Sequence, residues 1–230
     1  MNVAIIPARG GSKRIPKKNI KDFLGKPIIA YSIENAINSK LFDRVIVSTD
    51  DKEIAEISIS YGAEAPFIRP SELSDDFSGT HEVVGHAIQW LENCGEVVDY
   101  ACCIYATAPF IKEDDLIDGY NLIKTGSWES VIAVTNFSYP IFRSFKELQN
   151  GGVEMFFPDY YASRSQDLPE AYHDAGQFYW ARAEIWINKP VGFSKSTGIV
   201  KLPGYRVKDI DTLDDWIEAE FIYRLIKERL

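Results

Sequence analysis

The chain opens with Asn2-Val3-Ala4-Ile5-Ile6-Pro7-Ala8-Arg9-Gly10-Gly11-Ser12-Lys13-Arg14-Ile15-Pro16-Lys17-Lys18-Asn19, a short apolar run that leads into a basic loop with two glycines. A wholly apolar first strand that ends in a polar loop is typical of a sheet buried on both faces. Ligands of such sheets bind outside the carboxyl ends of the strands. We therefore expect the loop at residues 8–19 to lie at the functional edge.

Strand and helix patterns alternate along the rest of the chain. Further strands are predicted at Arg44–Ser48, 100–105 and 130–135, and helices at 27–39, 51–61, Thr80–Asn93, Glu113–Lys124 and 212–229. Thr49 or Asp50 is the expected cap of the second helix, and Gly62 its end. Alternation of this kind predicts right-handed crossovers and a mainly parallel, three-layer α/β fold, which we expect to form one domain over residues 1–230.

Composition excludes several classes of protein. The chain has 230 residues, of which 46% are hydrophobic and 26% charged, and its net charge is −9, which argues against nucleic acid or an anionic membrane as a partner. No apolar stretch approaches the length of a membrane span. The three cysteines form neither a disulfide framework nor a zinc pattern, so we expect a cytoplasmic protein.

Positive charge is concentrated in one place. Residues 9–21 contain six cations and no acid, which leaves 25 − 6 = 19 cations against 34 acids elsewhere. Glycines let backbone amides approach phosphate oxygens, and the basic side chains would neutralise them. The alternative is a solvated basic loop. The loop has neither the Walker A pattern nor the dinucleotide glycine pattern, and the lack of the latter disfavours an oxidoreductase.

A second candidate site is Asp209-Ile210-Asp211-Thr212, which follows a short strand predicted at residues 205–207 and precedes the last helix. Residues two apart in an extended segment point the same way, so both carboxylates could share one cation. Mg²⁺ typically takes one or two carboxylates plus substrate phosphates. Taken alone, the pattern equally describes acids at a helix N-terminus.

The segment at residues 136–172 has a different texture, with three prolines and many aromatic residues but no clear period. Aromatic residues left in solvent would form an exposed patch, so we expect a partner surface. Arg164 lies in a polar cluster here and could bind a carboxylate bidentately. His173 is more simply explained as a structural hydrogen bonder than as a catalytic base.

Six ordered blocks resemble the acylneuraminate cytidylyltransferases, the CMP-sialic acid synthetases, over essentially the whole chain. They are Ile6-Pro7-Ala8-Arg9-Gly10-Gly11-Ser12-Lys13, Pro16-Lys17-Lys18-Asn19, Phe42-Asp43-Arg44-Val45-Ile46-Val47-Ser48-Thr49-Asp50, Arg69-Pro70-Ser71-Glu72-Leu73, Arg164-Ser165-Gln166-Asp167 and Asp209-Ile210-Asp211-Thr212. The resemblance implies a Rossmann-like nucleotidyltransferase fold, CTP as co-substrate, Mg²⁺ or Mn²⁺ as cofactor, and a homodimer formed through the insertion at about 136–172.

The resemblance also implies roles for individual residues. Nucleotide contacts fall on Ala8, Arg9, Gly10, Gly11, Ser12, Lys18, Asn19, Arg69, Ser78 and Thr80. Contacts with an acidic nine-carbon sugar fall on Tyr105, Thr107, Arg164, Gln166, Asp167, Asp174, Gln177 and Tyr179. The metal ligands would be Asp209 and Asp211, and these two acids with Arg9 and Lys18 form the expected catalytic set.

One departure bears on the sugar. Sialic acid enzymes of the family usually carry Leu-Gln-Pro-Thr-Ser-Pro where this chain has Ile104-Tyr105-Ala106-Thr107-Ala108-Pro109. This block and residues 172–180 resemble the branch of the family that acts on pseudaminic acid, and a pocket lined by Tyr105, Phe178 and Tyr179 would suit that less polar sugar. The alternatives are sialic or legionaminic acid in the same reaction, or a non-catalytic module that senses CTP, for which metal ligands and a sugar-side arginine would be superfluous.

Overall fold

The computed structural model describes residues 1–75 and 79–229 of the chain. Its strands are β1 (Asn2–Pro7), β2 (Asp22–Phe23), β3 (Lys26–Pro27), β4 (Arg44–Ser48), β5 (Tyr100–Ile104), β6 (Ser130–Asn136), β7 (Phe145–Glu147), β8 (Val153–Met155), β9 (Tyr172–Arg182) and β10 (Thr197–Lys201). Its α-helices are α1 (Ile28–Asn38), α2 (Lys52–Ser60), α3 (Thr80–Asn93), α4 (Glu113–Lys124), α5 (Ala183–Asn188) and α6 (Leu213–Arg229).

A six-stranded sheet forms the centre, in the order β10-β6-β9-β5-β1-β4. The strand β1 is parallel to β4 and β5, and β10 is parallel to β6. Only β9 among these six runs antiparallel to its neighbours, since it pairs in that sense with both β5 and β6. The predicted α/β fold with a mainly parallel sheet is confirmed.

Helices cover both faces of this sheet, which gives three layers. Alternate residues of each strand face opposite sides, as the period of two requires. Ala4 and Ile6 of β1 join a core with α1, α2 and α4, whereas Val3 and Ile5 join a second core with α3 and α5. A third, smaller cluster holds α6 against α1 and the β2–β3 hairpin, with Phe23 and others at its centre. Burial on both faces explains why the inner strands β1 and β5 are almost wholly apolar.

The ends of α2 correct one local prediction. The capping side chain is Asp51, whose Oδ1 accepts from the amides of Glu53 and Ile54 at 2.8 and 3.2 Å, so the expectation that Thr49 or Asp50 would cap the helix was wrong. Asp50 contacts the basic loop instead. Gly62 follows the helix with φ 92°, a left-handed conformation that suits glycine, as predicted.

Two features shape the chain between β6 and α6. Residues 136–172 form the small β7–β8 hairpin and short turns, and nearly all of their side chains are exposed or half-buried. Further on, Arg206 lies in a 3₁₀ turn and not in the short strand expected there. Its guanidinium forms a buried bidentate pair with Asp115 of α4, at 2.5 and 2.8 Å. This pair fixes the segment that leads to Asp211 against the body of the domain.

No helix within the described ranges is both long enough and apolar enough to cross a membrane.

Candidate active site

A cavity of about 380 Å³ lies at the carboxyl edge of the sheet, beside β1 and β5. This volume is within the range of small-molecule sites. Its lining includes nine of the residues predicted from the sequence: Arg9, Ser12, Lys18, Asn19, Arg69, Thr80, Tyr105, Thr107 and Asp211. Segments that are distant in sequence therefore contribute cations, hydroxyls and a carboxylate to one concave surface.

The basic loop at residues 8–19 is fixed by two of its own buried side chains. Ile15 is buried in the cluster beneath α6 and anchors the middle of the loop. Asn19 is also buried, and its Nδ2 atom donates to the carbonyl oxygen of Arg9 at 3.0 Å, which ties the two ends of the loop together. The backbone of Lys17 has φ 52°, a left-handed turn just before Lys18. These contacts fix the direction in which the loop presents its charges.

The amides of Ala8 and Gly10 have partners within the protein. Ala8 donates to the carbonyl oxygen of Ser48 at 3.0 Å, and Gly10 donates to Oδ1 of Asp50 at 2.9 Å. A Cβ atom on Gly10 would lie 2.9 Å from the Cβ of Asp51, the cap of α2, so close approach to the start of that helix requires glycine at this position. Gly11 has open space around it. The need for Gly10 therefore comes from packing against the N-terminus of α2.

Lys18 and Arg14 both contact Asp211 on the far side of the cavity. The Nζ atom of Lys18 lies 2.7 Å from the carbonyl oxygen of Ile210 and 3.4 Å from Oδ1 of Asp211. Nη2 of Arg14 is 2.9 Å from the same carboxylate oxygen. The first loop and the acidic segment thus form one charged wall, in which cations and a carboxylate neutralise each other.

Arg69 supplies a buried cation on another wall. Only 4% of its surface is exposed. Its Nη1 donates to the carbonyl oxygen of Ser48 and its Nε to Oγ of Ser74, both at 3.2 Å, and its Nη2 lies 3.9 Å from Oδ1 of Asp50. Burial lowers the pKa of Arg69, and the nearby Asp50 carboxylate opposes that shift.

Tyr105 stands at the end of β5 and is tied to its neighbours through its hydroxyl. Thr80 Oγ1, in the first turn of α3, lies 3.4 Å from the hydroxyl oxygen of Tyr105. The ring of Tyr179 lies 5.4 Å from that of Tyr105, and its hydroxyl donates to Oδ2 of Asp174 at 2.6 Å. Burial raises the pKa of both tyrosines, so both keep their protons at neutral pH.

Several predicted site residues lie elsewhere, among them Phe178, which is buried in the core and does not line the cavity. Asp174, Gln177 and Tyr179 of β9 are behind the cavity wall, where the Gln177 side chain donates to the carbonyl oxygen of Arg206 at 2.6 Å. Arg164, Gln166 and Asp167 are exposed in the 136–172 segment, and Arg164 Nε pairs with Asp167 at 2.7 Å. Asp209 is exposed and does not line the cavity. The predicted nucleotide contact at Ser78 lies outside the described residues.

The acidic segment has ligand types that fit a divalent cation. Ile210 is buried, so Asp209 and Asp211 on either side of it face away from the core along an extended stretch. Within residues 1–75 and 79–229, no three His, Cys, Asp or Glu side chains form a group able to hold a metal. A pair of carboxylates is the number that Mg²⁺ typically takes from a protein when phosphates complete its coordination.

Besides Lys13, which lines the cavity, three charged residues at or beside it were missed as individual candidates. Arg14 contacts Asp211, and Asp75 lines the cavity and accepts from Arg9 Nη1 through its carbonyl oxygen at 2.9 Å. Asp50 contacts Gly10 and approaches Arg69. The concentration of charge at residues 9–21 was a signal for Arg14. The other two depend on contacts between distant segments, for which the sequence has no local sign.

Comparison with known proteins places these features in a family. A family model described as cytidylyltransferase matches residues 3–127. A pseudaminic acid cytidylyltransferase of Campylobacter jejuni is 47% identical over 227 residues, which cover 99% of this chain and 98% of that relative. A CMP-N,N'-diacetyllegionaminic acid synthase of Legionella pneumophila is 31% identical, again over 99% of this chain and 98% of the relative.

Solved structures agree on the fold. A CMP:2-keto-3-deoxy-manno-octonic acid synthetase complexed with CTP superposes with a TM-score of 0.72 at 18% identity, over 100% of this chain and 99% of that one. A 4-diphosphocytidyl-2C-methyl-D-erythritol synthase from Anaerococcus prevotii gives a TM-score of 0.67 at 13% identity, over 97% and 98% of the two chains. The expected nucleotidyltransferase fold is confirmed by these similarities.

Proposed function

Because this chain belongs to the cytidylyltransferase family, we propose that it transfers the cytidylyl group of CTP to pseudaminic acid, giving CMP-pseudaminic acid and pyrophosphate. The observation that carries the proposal is the single cavity where Arg9, Lys18 and Asp211 meet Tyr105. The charged wall suits a triphosphate, and the tyrosine stands where a sugar acceptor would approach it. The 47% identity to the Campylobacter jejuni pseudaminic acid cytidylyltransferase supports this choice of sugar.

The reaction forms a bond from the anomeric oxygen of the sugar to the α-phosphorus of CTP. The bond from that phosphorus to the bridging oxygen breaks, pyrophosphate leaves in line, and the hydroxyl proton is released. Such transfers depend on positioning and charge neutralisation more than on a covalent enzyme group. Arg9 and Lys18 would stabilise the charge that accumulates on the departing pyrophosphate. Lys18 would have to exchange its contact with Asp211 for one with a phosphate.

Asp211, with Asp209, would hold Mg²⁺ or Mn²⁺. When bound, the cation would neutralise phosphate charge and lower the pKa of a hydroxyl next to it. Arg14 and Lys18, which contact the Asp211 carboxylate in this structure, would keep that carboxylate directed into the cavity until nucleotide and cation arrive.

Tyr105 is the residue we expect to favour pseudaminic acid. Its ring faces the cavity while its hydroxyl is held near Thr80. A largely buried aromatic side chain suits a deoxygenated, di-N-acylated sugar, whereas a glutamine would suit a more polar one. Tyr179, whose hydroxyl donates to Asp174, would pack against the ring of Tyr105 and fix its orientation.

A homodimer formed through residues 136–172 completes the proposal. Five large apolar side chains of this segment are more than half exposed: Tyr139 at 84%, Phe145 at 61%, Val153 at 65%, Phe156 at 57% and Tyr161 at 77%. A patch of this kind favours a protein partner. Arg164 is also exposed and does not line the cavity of its own chain, so its predicted contact with the sugar carboxylate would be made in the neighbouring subunit.

The test is pyrophosphate release from CTP and Mg²⁺ with pseudaminic, sialic and legionaminic acids side by side. Release that is much faster with pseudaminic acid is the expected result. Preference for sialic or legionaminic acid would retain the reaction and overturn the role of Tyr105. Measurable CTP binding without release for any of the three would favour a CTP sensor or another acidic sugar.

A further inference from the structure

Asp50 connects two parts of the cavity that approach from different directions. It lies two residues after the end of β4, and its Oδ1 atom accepts a hydrogen bond from the amide of Gly10 at 2.9 Å. The same oxygen lies 3.9 Å from Nη2 of Arg69. One carboxylate atom therefore contacts both the glycine turn of the basic loop and the buried guanidinium opposite it.

The contacts of Arg69 and Gly10 indicate what the Asp50 carboxylate does. Arg69 has 4% of its surface exposed, and its Nε and Nη1 groups are bound to uncharged oxygens of Ser74 and Ser48. A buried guanidinium is costly unless a negative charge balances it. Gly10 packs so closely on Asp51 that any shift of the turn would be resisted on that side. The Asp50 carboxylate completes the restraint from the other side.

We propose that Asp50 is a positioning residue that holds the glycine turn and the Arg69 guanidinium in one fixed mutual geometry, so that both are in place when the nucleotide binds. The inference rests on the proposed function, since it takes CTP as the ligand of the cavity. Asp50 itself does not line the cavity, whereas Arg69 and Arg9, the neighbour of Gly10, do. Its effect would therefore pass through them.

The direction in which CTP affinity changes when the Asp50 carboxylate is removed distinguishes a positioning role from a purely electrostatic one. A carboxylate close to a triphosphate site repels the ligand, so removing its charge alone would tighten CTP binding. Loss of positioning would weaken it, because the turn and Arg69 would have to be ordered at the expense of binding free energy. The two explanations predict opposite changes in the same constant.

The experiment compares Asp50→Ala, Asp50→Asn and wild type by steady-state kinetics with each substrate varied, and by calorimetric titration with CTP. We expect Asp50→Ala to raise KM and Kd for CTP by about tenfold, with KM for the sugar unchanged within about twofold. Asp50→Asn should lie between Asp50→Ala and wild type, because its amide oxygen can still accept from Gly10.

Asp51→Asn is the matched control, since asparagine caps a helix about as well as aspartate and keeps the contact with Gly10. It should leave the constants for CTP unchanged. Unchanged or tighter CTP binding in Asp50→Ala would overturn the proposal, as would a fall in kcat with KM for CTP unaltered, which is the signature of a partly unfolded enzyme. A wild-type protein that neither binds nor consumes CTP would instead overturn the proposed function.

Discussion

Lys18 and Asp211 meet across the cavity although they are 193 positions apart in sequence: the Nζ atom of Lys18 lies 3.4 Å from Oδ1 of Asp211. Lys18 also donates to the carbonyl oxygen of Ile210 at 2.7 Å. Lys18, which would bind the pyrophosphate, and Asp211, which would bind the metal, therefore form an ion pair in this structure. Binding of the nucleotide to Lys18 and of the metal to Asp211 would separate this pair. Binding of one ligand would therefore favour binding of the other.

Replacing Lys18 tests the phosphate side of the cavity. Lys18→Ala should lower kcat/KM for CTP by about 10²–10³-fold, because a charged donor to the leaving group is lost from a partly buried position. Lys17→Ala is the neighbouring control, since Lys17 is exposed and paired with Glu53, and it should remain within about twofold of wild type. Near-normal turnover in Lys18→Ala would contradict the assignment.

Replacing Asp211 tests the metal side. Asp211→Asn should move the Mg²⁺ titration of activity to higher concentration and lower the maximal rate, because an amide is a weaker ligand for a hard cation than a carboxylate. Asp214→Asn, on the exposed first turn of α6, changes the same charge without facing the cavity. An unaltered magnesium titration in Asp211→Asn would show that the metal binds elsewhere.

Tyr105 is expected to set sugar preference. Tyr105→Gln should reduce kcat/KM for pseudaminic acid by at least about tenfold and change the value for sialic acid less, because the aromatic contact is replaced by a polar group. Tyr105→Phe keeps the ring and removes only the hydroxyl near Thr80, so its preference among the sugars should resemble that of wild type. Competition between the two sugars in one reaction measures this ratio directly, and an unchanged ratio in Tyr105→Gln would refute the role.

Mixed dimers test whether the insertion serves the neighbouring subunit. Lys18→Ala and Arg164→Ala are each expected to be nearly inactive, but an equilibrated equal mixture should recover about a quarter of wild-type activity, because half of the dimers are mixed and each contains one intact site. Size-exclusion chromatography with light scattering would establish the dimer first. If the mixture stays inactive although subunits exchange, Arg164 acts within its own chain or not at all.

The buried pair of Arg206 and Asp115 is expected to stabilise the fold. Arg206→Met should lower the free energy of unfolding by about 3–5 kcal/mol, because it leaves the Asp115 carboxylate buried without its partner. Urea denaturation measures the change. Lys146→Met breaks the exposed pair with Glu154 and should cost less than about 1 kcal/mol. Equal effects of the two substitutions would show that burial of the pair is unimportant.

Local patterns in the sequence were sufficient for most secondary structure. The predicted bounds of α3 and α4 agree with the structure at both ends, since their apolar spacing and flanking residues mark them clearly. The prediction did not include β9, α5 or β10, and other differences occur where short-range signals compete. Asp51 and not Asp50 caps α2, because two adjacent acids offer the same chemistry and only the backbone path decides between them. The segment before Asp209, predicted as a strand, contains a 3₁₀ turn at Gly204–Arg206, in which Arg206 pairs with the distant Asp115.

The sequence by itself determined the apolar strands, the concentrated charge of the first loop and the residue types available for phosphate, metal and sugar, because these follow from spacing and chemistry along the chain. Only the tertiary structure decided that β9 lies antiparallel between β5 and β6, that Lys18 meets Asp211, and that Asp50 contacts both Gly10 and Arg69. Strand order and crossover geometry bring these groups together, and contacts between segments so far apart in sequence are selected by packing of the whole core and not by any local preference.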